Sequence, residues 1–413
     1  MIYANMGIGS VFALADDLSG AAEVAAVLMS GGRSARIALS GPPYGSDPVL
    51  VADLDTRHHP RAGQIVGEAV RHADGRRVFI KIDSLLRGNV AATVAAIPAP
   101  VVLTPALPSA GRVVVGGVPY VDGRPLRETR AWASCPDACP ATVAAALGGV
   151  PSLLVPLAVV RGGVEALALA LAEAAGAGRV AVCDAETDAD LDAIVSAADP
   201  GACLIGAGGL AAALGRSLDT AGPAAPDTPP LSDRPVLVVV GTAEPGAVEQ
   251  VKVLVEHGAR QVTLDAWPSS DPAFAQSGQE ELARNARDAA ARRIQDALTA
   301  GHLTVVTITP TSAGAESSTL TASLAETIRQ ALTLRGQTGD LDLVLTGGET
   351  ARRVLDALDV RELTPVTQIH HGAVHSRTPQ GTSVVTRPGS FGDRDSLLRI
   401  ATHLRPDLVL MKG

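Results

Sequence analysis

Aromatic side chains are nearly missing: the 413 residues include 2 Trp, 3 Tyr and 4 Phe. Proteins that hold single-stranded nucleic acid stack its bases on aromatic rings, so no such platform is expected. Lysine is equally scarce, at Lys81, Lys252 and Lys412 only. Arginine therefore carries almost all the basic charge, and acid outweighs it, with a net charge of −9. That balance argues against general binding to nucleic acid or to an anionic membrane surface. Four cysteines are too few for a disulfide framework in a chain of this length. Cys135 and Cys139 stand at C-x3-C spacing with no second ligand pair, which argues against zinc. Cys183 and Cys203 read as small core residues on strands. The apolar stretch 153–175 is interrupted by Pro156, Arg161, Glu165 and Glu173, so it cannot span a bilayer. No basic segment followed by an apolar core opens the chain. The expectation is a cytoplasmic protein that takes small molecules, with no nucleic-acid or membrane partner; a homodimer is compatible with the sequence.

Hydrophobic residues make up 46% of the chain, enough for two cores. Short β-favouring runs alternate with alanine-rich helical patterns. Strands are expected at Val11–Ala15, Val49–Leu54, Val78–Ile82, Val101–Thr104, Val180–Cys183 and Cys203–Ile205, with helices such as Ala21–Met29 and Gly63–His72 between them. Alternation of this kind predicts an α/β fold with mainly parallel sheets flanked by helices. Val113 to Leu126 differs, because two valine-rich runs are separated by Gly116-Gly117 and followed by Asp122-Gly123, which predicts a hairpin or meander inserted in the N-terminal half. Prolines 223, 226, 229, 230 and 235 mark a linker over 221–235. The α/β pattern then restarts with strand Val236–Val240. The boundaries drawn are 1–220 and 236–413, on either side of that linker.

Five segments carry candidate chemistry. Leu341–Leu345 is a strand-like run leading through Thr346, Gly347, Gly348, Glu349 and Thr350 into a helical pattern. A strand turning through glycines into a helix directs free N–H groups and the positive end of the helix dipole at an anion above the turn. The alternative is an ordinary tight connection. Gly241, Thr242 and Glu244 follow Val236–Val240 and form a second such loop. Arg387, Gly389, Ser390 and Gly392 form a third, after strand Thr382–Thr386. At the other end of the chain, Asp16 and Asp17 follow the first strand, at the carboxyl edge where open α/β sheets bind ligands. They can accept bonds from substrate hydroxyls or act as a base, or one of them can simply cap the next helix. Lys81, Asp83, Ser84, Arg87 and Asn89 crowd nine positions after another strand, where Lys81 and Arg87 can clamp an anion. Gly206, Gly208 and Ala211 match G-x-G-x-x-A, but the proline-rich linker stands where a dinucleotide fold needs its second strand and acidic residue, so these glycines are read as a tight turn. His370, His371 and His375 lack a carboxylate partner in the pattern, and no metal ligand is assigned.

In order, ADDLSG (15–20), KIDSLLRGN (81–89), PALPSAGRVVVGGVPYVDGRPL (105–126), TGGETA (346–351) and TRPGSFGD (386–393) resemble the motifs of the four-carbon acid sugar kinase family, over nearly the whole chain. The resemblance implies an N-terminal domain that binds an acid sugar and a C-terminal domain that binds ATP. It puts Asp16, Asp17, Lys81, Asp83, Ser84, Arg87 and Arg112 on the acid, with Asp17, Asp83 and Arg87 in catalysis. It puts Gly241, Thr242, Glu244, Thr346, Gly347, Gly348, Glu349, Thr350, Arg387, Gly389, Ser390 and Gly392 on the nucleotide. Mg2+ would bridge the phosphates, with Glu349 as a candidate helper. The chain departs from the family pattern at Ala21-Ala22-Glu23, where Ala-Asn-Asp is usual, at GTAE (241–244), and at Arg387-Pro388 in place of Lys-Ser. The expected reaction is ATP-dependent phosphorylation of threonate, erythronate or 3-oxo-tetronate. The rivals are a homologue that binds the same ligands without turnover and a kinase of a different hydroxy acid.

Overall fold

The computed structural model describes residues 9–29, 32–41, 43, 45–133, 135, 137–218, 234–242, 244–265, 279–309, 317–336, 340–389 and 391–406. Most of the proline-rich stretch, residues 221–233, lies outside the described residues, as does Ser390. The chain divides into two compact units, Met1–Ala225 and Pro226–Gly413.

The first unit runs β1 (Val11–Ala15), α1 (Leu18–Leu28), β2 (Ala35–Ala38), β3 (Val49–Asp53), α2 (Ala62–Ala69), β4 (Arg77–Lys81), α3 (Val90–Ala95), β5 (Val101–Thr104), β6 (Arg112–Val115), β7 (Val118–Val121), β8 (Arg124–Pro125), α4 (Val143–Ala146), β9 (Ser152–Val155), α5 (Leu157–Val160), α6 (Val164–Gly176), β10 (Val180–Cys183), α7 (Asp188–Ala197), β11 (Cys203–Gly206) and α8 (Gly208–Ser217). Its main sheet is parallel, in the order β2-β3-β1-β4-β11-β5-β10-β9. Every residue of β1 and β3 is buried, as expected of strands covered on both faces, and that explains their continuous apolar runs. β6, β7 and β8 form a separate antiparallel sheet. Its turns place Gly116 and Gly117 at φ 60° and 73°, and Asp122 and Gly123 at φ 49° and 75°, the left-handed pairs that two-residue hairpins require.

The second unit runs β12 (Val236–Val240), α9 (Pro245–Glu256), β13 (Arg260–Leu264), α10 (Gln279–Thr299), β14 (Thr304–Ile308), α11 (Ser317–Arg335), β15 (Asp342–Thr346), α12 (Gly348–Ala357), β16 (Glu362–His370), β17 (Ala373–Arg377), β18 (Ser383–Arg387) and α13 (Ser396–Leu404). Its strands lie in the order β13-β14-β12-β15-β18-β17-β16. The first five are parallel, and β17 then turns antiparallel to both β18 and β16. β12 and β15 are fully buried, while β13 alternates exposed and buried residues. The core on β12 gathers Val236, Val238, Val240, Leu254, Val344, Val385, Leu397 and Ile400.

One expectation changes and another is extended. The first helix starts at Leu18 rather than Ala21, because Asp17 caps it, its carboxylate accepting from the N–H of Gly20 at 2.8 Å. The Gly206 loop, a tight connection with one residue between β11 and α8, is also a packing device. A Cβ at Gly206 would lie 2.5 Å from the Thr104 carbonyl oxygen, and one at Gly209 would lie 2.8 Å from the Ala106 carbonyl oxygen and 2.9 Å from Leu191 Cδ1. These glycines let α8 press against its neighbours. Cys183 and Cys203 are buried on β10 and β11, and burial pushes both thiols up, so they are inert core residues. Among the described residues no helix is long and apolar enough to cross a membrane.

Gly209→Ala should lower the stability of the first unit by about 1–3 kcal/mol, because backbone lies in the way. The urea midpoint measures this; an unchanged midpoint would mean that α8 shifts without cost and that the glycine is not a packing requirement.

Candidate functional site

Parallel strands deliver their carboxyl ends to one edge, and three adjacent ones in the first unit do so here. Ala15 is level with Asp53 on one side and with Lys81 on the other, so the residues following β1, β3 and β4 meet. Asp16 and Asp17 come from β1, Arg57 from the loop after β3, and Lys81 to Arg87 from β4. Backbone ties fix the loops: the N–H groups of Thr56 and Arg57 donate to the Asp16 carbonyl at 3.0 and 3.1 Å.

The charges then pair. Arg57 donates from Nε and Nη2 to both oxygens of Asp16, at 2.9 and 2.7 Å, and from Nη1 to Asp17 at 2.8 Å. Arg87 grips Asp83 from Nε at 2.6 Å and Nη2 at 3.0 Å. Lys81, buried, lies 3.4 Å from Glu23 and donates to the Ile82 carbonyl at 3.1 Å. Arg112, at the start of β6, donates to the hydroxyl of Ser84. Trp132 pins the same loop by donating to the Leu85 carbonyl at 2.8 Å.

Burial would push all three aspartates up, but their surroundings separate them. For Asp16 burial wins and its carboxyl is raised, despite Arg57. For Asp17, Arg57, Lys81, Ser19 and the Gly20 N–H outweigh burial, and its carboxyl is lowered. Bonds from Arg87 and the charges of Arg57, Arg87 and Lys81 hold Asp83 well below the usual carboxylate range. Burial opposes the charge on Arg57, but Asp16, Asp17 and Asp83 overcome it, so it stays a cation. A pocket of this kind can orient the hydroxyls and carboxylate of a small polar ligand and hold a base ionised.

In the second unit the three glycine loops also share one edge. Val240 is level with Thr346, and Thr346 with Arg387, so the loops after β12, β15 and β18 are neighbours. The N–H of Gly347 donates to the Arg387 carbonyl at 2.8 Å. Gly241 leaves room for the Thr350 side chain, and Gly389 for Thr242, whose Cγ2 would be 3.2 Å from an added Cβ. Gly347 has φ 94°, and a Cβ there would meet only Thr350, at 3.6 Å and beyond, so that side of the turn is open. The starts of α9 and α12 face the same edge, and the residues present fit a phosphate-bearing ligand. Glu244 is exposed before Pro245, its N–H donating to Thr242 Oγ1 at 3.2 Å. Glu349 accepts from Thr321 of α11 at 3.2 Å. Among the described residues no group of three His, Cys, Asp or Glu could hold a metal.

Arg387 is 1% exposed. Its guanidinium donates to Ser396 Oγ at 3.2 Å, to Gln250 Oε1 and to the Phe391 carbonyl, while Gln250 donates to the Gly392 and Asp393 carbonyls at 3.1 and 2.9 Å. Burial pushes Arg387 down to about 10. The side chain thus organises the third loop from beneath. His370 bonds Ser396 at 3.0 Å and His375 bonds His403 at 3.2 Å, so these histidines serve packing and loop support.

Reading the sequence had missed Arg57, Gln250 and Ser396. Nothing in Asp55-Thr56-Arg57-His58-His59 marks the arginine, since its partners lie 40 and 41 positions away.

The family model described as a sugar-binding N-terminal domain matches residues 11–214, and that of a nucleotide-binding C-terminal domain matches 237–397. The chain is 34% identical to a D-threonate kinase of Cupriavidus necator over 410 residues, 93% of this chain and 95% of that one. It is 30% identical to a D-threonate kinase of Bordetella bronchiseptica, over 97% and 98% of the two chains. A 3-oxo-tetronate kinase of Methylobacterium radiotolerans is 27% identical, over 95% and 97%. A solved structure from Salmonella typhimurium LT2 shares the fold, with a TM-score of 0.75 at 21% identity, covering 95% of this chain and 99% of that one.

Two outcomes follow from the geometry. Asp83 has a lowered carboxyl, so its stabilisation is present above the ordinary carboxylate value of about 3.9 and is lost as pH falls below it. Asp83→Asn should therefore cost more stability at neutral pH than in acid, as urea unfolding at both pH values would show; an equal cost would deny the ion pair its role. Arg387→Met should cost about 2–4 kcal/mol by leaving Gln250 and the Phe391 carbonyl unsatisfied, and Arg387→Lys should recover only part of it. Full recovery by lysine in the same assay would mean that charge alone matters.

Proposed function

Since the chain belongs to the four-carbon acid sugar kinase family, we propose that it uses ATP to phosphorylate a hydroxyl of a four-carbon sugar acid such as threonate, erythronate or 3-oxo-tetronate. The observation that carries this reading is the division of labour. One unit gathers Asp16, Asp17, Lys81, Asp83 and Arg87 at the carboxyl ends of its strands. The other gathers glycine turns and helix starts at the carboxyl ends of its own.

In this reading the first unit holds the acid. Arg87, with Lys81 behind it, meets the substrate carboxylate, and Ser84 and Arg112 line the same loop. Asp17 or Asp83 orients the attacking hydroxyl and takes its proton. The second unit holds the nucleotide through the N–H groups around Gly241, Thr242, Gly348 and Gly389, with Gly347 giving close approach. Gly392, Thr346, Thr350 and Arg387 shape those loops. Glu349 is the candidate carboxylate toward a Mg2+ ion, which would supply charge neutralisation on the transferred group. Phosphoryl transfer asks a protein mainly for positioning and electrostatic stabilisation, and both sites are built for that.

The reading also accounts for the departures from the family pattern. Arg387 stands in place of lysine but is buried as a loop support, so its change is no sign of lost chemistry. Glu23 still supplies a carboxylate, and that carboxylate meets Lys81.

ADP release with Mg-ATP should appear with at least one of D- or L-threonate, D- or L-erythronate and 3-oxo-tetronate. Binding of ATP, seen as a raised melting temperature, with no turnover on any of them would favour the non-catalytic rival. Arg87→Ala should abolish turnover and leave the ATP-induced melting shift intact. Loss of that shift with retained acid binding would invert the assignment of the two units.

A further inference from the structure

We propose that Arg57 is the positioning residue of the acid-sugar site: one guanidinium holds Asp16 and Asp17 as a single rigid pair for the substrate hydroxyl, and the Gly88-Asn89 end of the second motif holds that arginine in place. The proposal rests on the reading of this unit as the sugar-acid side of a kinase.

Three features single out Arg57 from an ordinary ion pair. First, all three of its nitrogens are spent on the two adjacent carboxylates, two bonds to Asp16 and one to Asp17. A lysine in its place would be a point charge without the planar fork, so it could neutralise the pair but not fix its geometry. Second, Asp17 is gripped from the other side by Ser19 Oγ and the Gly20 N–H, both at 2.8 Å. Neither carboxylate of the pair can rotate without breaking a bond to Arg57.

Third, Arg57 is itself held. The Asn89 amide donates to the carbonyls of Thr56, Arg57 and His59 at 3.0, 3.2 and 2.9 Å. Gly88 has φ 86°, and a Cβ there would lie 2.5 Å from the Arg57 carbonyl oxygen. The last two residues of KIDSLLRGN therefore act on ADDLSG through an arginine that belongs to neither. Besides Arg57, the charge acting on the pair is Lys81 at the end of β4, which itself meets Glu23 of α1; Asp83, gripped by Arg87, acts on Arg57. Arg57 is the strongest cation acting on both carboxylates. Losing it raises both carboxyls, so a reaction that needs them ionised fails at a higher pH.

The test is the pH profile of kcat/KM for the best four-carbon acid, in the parent, Arg57→Gln and Arg57→Lys. Arg57→Gln should move the acidic limb upward by about one unit and lower kcat by roughly 100-fold, with the KM for ATP unchanged. Arg57→Lys should return the limb close to the parent while kcat stays low, because charge is restored without the fork. A purely structural arginine would lower the melting temperature and leave the limb unmoved. Either variant turning over within about threefold of the parent, with the limb in place, overturns the proposal. If the parent turns over no acid, the kinase reading fails instead. Carboxyl 13C titration of Asp16 and Asp17 in the parent and Arg57→Gln then decides the inference: both must titrate at higher pH in the variant, and unmoved values overturn it.

Discussion

Charge taken out of water must be compensated within a few ångströms, and the first unit is organised around that demand. Asp16, Asp17 and Asp83 sit where the parallel strands end, largely enclosed, and burial works against each of them. Arg57 compensates Asp16 and Asp17 from the neighbouring strand's loop, Lys81 acts on all three from the end of β4, and Arg87 pairs with Asp83 within its own loop. The pairing explains why the motif is spread over three strand ends rather than one: a single loop cannot surround two adjacent carboxylates. It also separates the aspartates in proton affinity, with Asp16 raised and Asp17 and Asp83 lowered, although all three come from chemically identical side chains.

The nucleotide-binding unit meets a different demand by different means. A phosphate brings its own charge, so the protein needs close approach and N–H groups more than ionised side chains. Gly347 leaves that approach open, while Gly241 and Gly389 let the loops after β12, β15 and β18 crowd together. The arginine of the third loop, Arg387, is not on display. It sits beneath the third loop and holds its carbonyls, which is why exchange of lysine for arginine here acts on loop shape.

Much of this was legible in the chain. The fully buried strands betray themselves as unbroken apolar runs, so β1, β5, β10 and β12 are found where Val11–Ala15, Val101–Thr104, Val180–Cys183 and Val236–Val240 predict them. Gly116-Gly117 and Asp122-Gly123 announce the meander. Less visible are β2, whose four residues include Arg36, and β9, which merges in sequence with the apolar helix after it. The glycines near Gly206 look like a nucleotide turn because the same residue serves close packing and close ligand approach; only the neighbouring Thr104 and Ala106 carbonyls decide between them.

Arg57 and Gln250 were illegible for a deeper reason. A motif is read from residues that are neighbours in sequence, whereas these two work by reaching across strands to groups far along the chain. Their role exists only once the parallel order β3-β1-β4, or the packing of α9 against the third loop, is in place. Residues that support a site are in general set by topology, while residues that touch the ligand are set by chemistry and keep a recognisable local pattern. In this protein the local patterns pointed to the reaction class, and the fold was needed to show which distant residues pair with their charges.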